Sequence, residues 1–179
     1  MKPPGAVEVG RRVFIRPPTA RDRDAFLALV RSSRSRLRPW VDPPDSRPAF
    51  AAYLRRARRS TERAFLVCRR EDGALVGVIN VSQIFLGAFR SAYLGYYASA
   101  SHMGRGYMSE GLRLVVRNAF SKVRLHRLEA NIQPANRASL RLVRRTGFRR
   151  EGFSPRYLKV LGRWRDHERW AVTAEDVRR

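Results

Sequence analysis

The sequence predicts a single α/β domain, and three observations carry that reading. First, 44% of the 179 residues are hydrophobic, with nine Phe and three Trp, enough apolar surface for one well-buried core but in a chain too short for two. Second, the hydrophobic period switches from two to 3.6 across the hexapeptide MGRGYM (103–108), between SAYLGYYA and SEGLRLVVRNAF. Third, no repeat, low-complexity stretch or linker interrupts residues 1–179, so nothing marks a domain boundary.

Each element has a local reason. Val13 to Arg16 reads as a strand closed by Pro17 and Pro18, and Thr19 with Asp22 three residues on opens a helix through Phe26, Leu29 and Val30 that stops near Pro39. After the Pro-rich loop 40–48, Phe50, Tyr53, Leu54 and Ala57 share one face of a second helix. The runs 65–69 and 75–82 flank Glu-Asp-Gly, a hairpin signal, and 91–98 extends that antiparallel set. Met108, Leu112, Val115, Val116, Ala119 and Phe120 form the stripe of a third helix. A strand over 126–133, a short helix over 136–145 ended by Gly147, and strands over 148–153 and 164–173 complete the chain. The order is β-α-α-β-β-β-α-β-α-β-β, seven strands and four helices.

Composition limits the function. The formal charge is +23, and only Lys2, Lys122 and Lys159 among the 38 basic residues are lysine. So arginine-heavy a composition fits codon usage as readily as a selected basic surface, although a field of that sign attracts phosphate-bearing ligands and ribosomal or nucleic-acid surfaces. Cys68 is the sole cysteine, which excludes an internal disulfide, and it reads as a buried strand residue. His102, His126 and His167 lack ligand-like partners at helical spacing, so no metal is expected. The N-terminus has no apolar targeting core, and no apolar stretch is long enough to span a bilayer; a cytoplasmic protein away from membranes is the expectation.

The two glycines of MGRGYM either turn a corner or wrap backbone amides around an anion. A dinucleotide fingerprint fails because Ser109 stands at the third glycine position, and no Gly-Lys-Ser/Thr of a phosphate-binding Walker loop occurs. What remains is a glycine loop feeding a helix N-terminus, where unpaired N–H groups and the helix dipole favour negative charge. This strand, loop and helix resembles motif A of the GCN5-related N-acetyltransferases, whose pyrophosphate loop Gln/Arg-x-x-Gly-x-Gly/Ala aligns with Met103 to Met108. Gly106 matches its central glycine; Met103 stands for Gln or Arg, and Met108 for the last small residue, as in the ribosomal-protein-alanine (RimJ/RimL-like) branch. LEANIQPANRASLRLVRRTGF and RYLKVLGRWRDHERWAV resemble two further segments of that branch, so the likeness covers nearly the whole chain.

The resemblance implies a mixed, mostly antiparallel seven-stranded sheet flanked by helices and splayed between its fourth strand (91–98) and fifth (126–133). Acetyl-CoA would enter that gap, with its pyrophosphate over Met103, Gly104, Arg105, Gly106, Tyr107 and Met108. Its pantetheine arm would meet Tyr97, Ala98 and Asn136, and a free amide near Tyr97 or Ala98 would stabilise the oxyanion. Asn136 is equally suited to cap its helix. Ser139 holds the position of the acid that protonates the departing thiolate, and Trp40 and Tyr157 are candidate acceptor-groove residues. The usual bases are absent. Glu129 is the nearest carboxylate in sequence, with pairing to a neighbouring arginine as its competing role.

An α-amine, with a pKa of about 7.7–8.0, needs less help from a base than lysine near 10.4. The expected activity is therefore acetyl transfer to the N-terminal amine of a protein, a ribosomal one in the first instance, with ribosome association through the basic surface and a monomer or homodimer as the assembly. The alternatives are a small-molecule amine acceptor (amino sugar, polyamine or amino acid) and a noncatalytic CoA- or ribosome-binding module.

Overall fold

Runs of β-branched and aromatic residues flanked by Gly and Pro become strands here, and the amphipathic stretches between them become helices. A computed structural model describes residues 2–177. In chain order its elements are β1 (Glu8–Val9), β2 (Val13–Arg16), α1 (Arg23–Leu37), α2 (Arg47–Ala57), β3 (Arg63–Arg69), β4 (Leu75–Phe85), β5 (Ser91–Ala98), α3 (Tyr107–Ser121), β6 (Arg127–Ile132), α4 (Arg137–Arg145), β7 (Arg149–Val160), β8 (Arg163–Thr173) and α5 (Ala174–Val177). Single 3-10 turns at Ala20–Asp22 and Ala100–His102 lead into α1 and the glycine loop.

The strands form one sheet of eight in the order β1-β2-β3-β4-β5-β6-β8-β7. All seven expected strands are present. The eighth is β1, whose two residues pair with Ile15 and Phe14 and are too few to show any alternation in sequence. Neighbouring strands run antiparallel except β5 and β6, which run parallel.

Alternation divides the core in two. Val13, Ile15, Val67, Ile79, Leu128 and Ala130 face α3 and α4, where they meet Leu112, Val115, Val116, Leu140 and Val143. Phe14, Leu66, Cys68, Val78 and Tyr97 point the other way, onto Phe26, Leu29, Val30, Phe50 and Tyr53 of α1 and α2. Each large side chain buried in this way contributes about 1.5–3 kcal/mol relative to exposure. Cys68 is buried, as its strand position implies.

The sheet opens where β5 meets β6. Their pairing covers only Ser91 to Tyr93 against Arg127 to Glu129, although β5 continues to Ala98 and β6 to Ile132. Beyond Tyr93 the strands part, while β5 stays paired to β4 and β6 to β8. The expected splay is therefore present, between β5 and β6 in the full count.

Candidate active site

Two cavities occupy the parting. The larger, about 530 Å³, runs from the glycine loop (Met103, Gly104, Gly106) past Tyr97 and Ala98 to Asn136 and Ser139 on α4, with Trp40 beyond α1 on its other wall. The smaller, about 80 Å³, lies between β5 and β6 and is lined by Gly95, Tyr96, Asn131 and His167. Trp40, Tyr96, Asn136 and Ser139 border both.

The glycine loop is shaped for an anion. Gly104 and Gly106 have φ of +76° and +79°, conformations that suit glycine, and Gly106 is the N-cap of α3. The first intrahelical bond to close is the Glu110 amide on the Gly106 carbonyl, at 3.2 Å, which leaves the preceding first-turn N–H groups directed at the cavity end. Glu110 faces away from the cavity and accepts the Arg12 amide at 2.7 Å, and Arg12 donates in turn to the Arg105 carbonyl at 3.0 Å. Arg12 thereby fixes the loop from outside. Arg36, Arg141 and Arg145 are among the residues lining the larger cavity, and no Asp or Glu is. That donor set fits the pyrophosphate end of coenzyme A.

Strand geometry identifies the amide available to an oxyanion. The Ser99 amide donates to the Val76 carbonyl of β4, while the Arg90 carbonyl accepts from His126 and Arg127 at the start of β6. Alternation from both ends agrees that even-numbered residues of β5 present their backbone to β6. Ala98 and Tyr96, rather than Tyr97, therefore hold amides open to the gap. The Tyr97 side chain packs edge-on against Phe26 at 6.3 Å, and its hydroxyl is buried without a partner among the described residues.

On α4, Asn136 is the N-cap and its Oδ1 accepts the Ser139 amide at 3.1 Å. The Ser139 hydroxyl lies 2.6 Å from that of Tyr96. Burial pushes the Tyr96 phenol well above its ordinary range, so it stays protonated and able to donate.

Other expected site residues are placed differently. Glu129 lies outside both cavity linings, at the closed end of the gap, where Arg127 binds it at 2.9 Å and also holds Glu151 at 2.5 Å. Tyr157 also lies outside both linings. Its hydroxyl bonds with Tyr93, and this bond together with burial pushes its pKa up to about 12; its ring rests 6.2 Å from His167. Tyr96 and His167 line these cavities without having been singled out, and Asn131, which shares a strand face with Glu129, lines the smaller one. Period-two alternation along β8 puts His167 on the face opposite Glu168 and Trp170, but only the folded sheet, where it pairs with Ser154 of β7, brings it to the smaller cavity. Among the described residues no cluster of His, Cys, Asp or Glu is arranged to hold a metal.

A parted sheet with a glycine loop at one end and a capped helix along one side makes a site for an extended ligand with an anionic end. The Acetyltransferase (GNAT) domain family matches residues 12–149. The chain belongs to that family and is an acetyl-CoA-dependent N-acetyltransferase. It is 31% identical over 175 residues to the probable N-acetyltransferase YjcK of Bacillus subtilis (strain 168), covering 93% of this chain and 97% of that protein. It is also 37% identical over 106 residues to the [ribosomal protein uS5]-alanine N-acetyltransferase of Escherichia coli (strain K12), covering 59% of this chain and 55% of that one. The structure of Mycobacterium smegmatis RimJ in complex with CoA-disulfide superimposes with a TM-score of 0.86 at 31% identity, covering 93% of this chain and 84% of that chain.

Proposed function

We propose that the acceptor is the N-terminal α-amine of a protein, in the first instance a ribosomal protein, acetylated in the cytoplasm. The observation that carries this reading is the absence of any Asp or Glu from the lining of either cavity. A polyamine carries several cationic groups, and burying them beside guanidinium groups without a carboxylate is costly. A peptide N-terminus brings one amine that is readily neutral, followed by a polar backbone that Asn and Tyr groups can bind. The similarity to an alanine N-acetyltransferase of ribosomal protein uS5 supports the same choice. The net charge of +23 favours approach to an RNA-rich particle.

The test is thiol release from acetyl-CoA with peptides beginning Ala, Ser or Met, beside spermidine and an aminoglycoside. Turnover on the peptides is expected. Turnover confined to spermidine or the aminoglycoside would replace this acceptor with a small amine, and CoA binding without turnover on any of them would leave a binding module.

A further inference from the structure

His167 is the one imidazole in either cavity's lining that sits beyond the parting of β5 and β6, on the sheet face opposite α4. Only 3% of its surface is exposed. Its Nδ1 lies 2.9 Å from the Arg165 carbonyl, which can only accept, so Nδ1 carries the proton and Nε2 keeps a free lone pair. Among the described residues nothing bonds to Nε2. On β6, Asn131 lines the same small cavity, and its Oδ1 is buried without a hydrogen-bond donor. His167 and Asn131 therefore line one cavity with Ser139, and an amine entering it is a donor that would satisfy the free Nε2.

We propose that His167 is the proton acceptor of acetyl transfer, its Nε2 receiving a proton from the incoming amine. The proposal rests on an amine reaching the small cavity, whichever amine it is. The amine lone pair attacks the thioester carbon, a C–N bond forms, and the carbonyl electrons move to oxygen beside the Ala98 amide. The nitrogen, acidified by its new bond, passes its proton to Nε2. Re-forming the carbonyl breaks the C–S bond with its electron pair on sulfur, which takes the Ser139 hydroxyl proton. The imidazolium proton returns to the Ser139 oxygen, leaving the amide, CoA thiol and unchanged side chains.

The surroundings suit that role. Burial lowers the His167 pKa, partly opposed by the Arg165 carbonyl and by Asp166, so the ring is unprotonated at neutral pH. Tyr157 of β7 lies against its ring, delivered there by the irregular register between Ser154 and Leu158, and stays protonated at neutral pH. Arg165 and Asp166 adjoin it on β8, and α4 and β6 offer only the neutral Asn136, Ser139 and Asn131. No carboxylate lines the small cavity to compete for the proton.

The experiment is His167→Gln, assayed from pH 5 to 9 with an Ala-starting peptide and with spermidine, together with CoA calorimetry. On whichever acceptor turns over, kcat should fall about 10²-fold or more. Below pH 6.5 wild-type kcat/KM should fall more steeply than the ionisation of the acceptor amine alone requires; in the variant that extra fall should vanish, while CoA affinity stays within about twofold. A folded variant with kcat within about threefold of wild type, or with that extra fall intact, overturns the proposal. If the variant does not fold, imidazole nitrogen NMR on the wild type decides. A proton on Nδ1 and a titration that tracks the extra fall below pH 6.5 support the assignment; a proton on Nε2, or a titration away from that fall, refutes it. Peptides failing while spermidine turns over would refute only the α-amine reading, because the His167 result is a ratio on one acceptor.

Discussion

Ser139 shows how a single hydroxyl can be separated from the helix that carries it. Its backbone amide completes the Asn136 cap, whereas its side chain bonds to Tyr96. Asn136→Ala should therefore cost about 1 kcal/mol of stability through the lost cap. Ser139→Ala should instead lower kcat by about tenfold to 10²-fold, near the low end for general acid catalysis because a thiol of pKa about 8.5 leaves readily. Its KM for acetyl-CoA should barely change. The same change leaves the Tyr96 hydroxyl only its long bond to the backbone carbonyl of residue 139, at 3.4 Å, at a cost of about 1 kcal/mol, so the double variant with Tyr96→Phe should regain stability in chemical denaturation without regaining kcat. Recovery of kcat in the double variant would remove Ser139 as the acid. His167 makes a pH prediction. Its folded pKa lies below the ordinary 6.5, so below that pH the unfolded chain binds more protons than the folded one. Stability is then full above 6.5 and falls as pH drops through the window beneath it. The stability difference between wild type and His167→Gln should bend in that window, and a difference independent of pH would show that the ring titrates normally in place.

At the scale of elements, α3 sets both the cofactor end and the packing of the sheet. Valine at Gly106 would meet a φ of +79° and place its Cβ 3.0 Å from the Arg12 guanidinium, so Gly106→Val should weaken CoA binding more than tenfold by calorimetry. At Gly111 an added Cβ would lie 2.7 Å from Val67 Cγ1 in the core. Alanine gains up to about 1 kcal/mol in helix propensity there, but overpacking typically costs 1–3 kcal/mol, so Gly111→Ala should lower the melting temperature. A higher melting temperature would mean that β3 and α3 can part at little cost.

Much of this scale was legible in the sequence, because α3 and β2 to β6 bury one clean face or both, and burial writes the periodicity that sequence shows. The outer half of β7 was legible only by resemblance. It is the sheet edge, mostly exposed, and Arg156 at φ +46° breaks its alternation. The loop residues and Ser139 were found through motifs confined to short stretches. Tyr96 and His167 were not, since their meeting depends on which strands pair across some seventy residues of sequence. Glu129 had the right chemistry for a base, yet it sits where β5 and β6 are still paired, and Arg127 holds it.

For the whole molecule, the parted sheet, the larger cavity with its arginines and the carboxylate-free smaller one fit the proposal made above: an acetyl-CoA-dependent transferase whose acceptor is a single neutral amine. The charge of +23 bears on encounter with the acceptor rather than on chemistry, so raising ionic strength should weaken the kcat/KM of acidic or RNA-bound acceptors while leaving kcat nearly unchanged. The most direct measurement supplies one peptide with an N-terminal alanine and an internal lysine, then locates the acetyl group by fragment mass spectrometry. An α-amine near pKa 8 is partly neutral at pH 7, whereas a lysine near 10.4 is almost wholly charged, so the acetyl group should sit on the alanine nitrogen. Acetylation of the lysine side chain, with the N-terminus left free, would contradict the account.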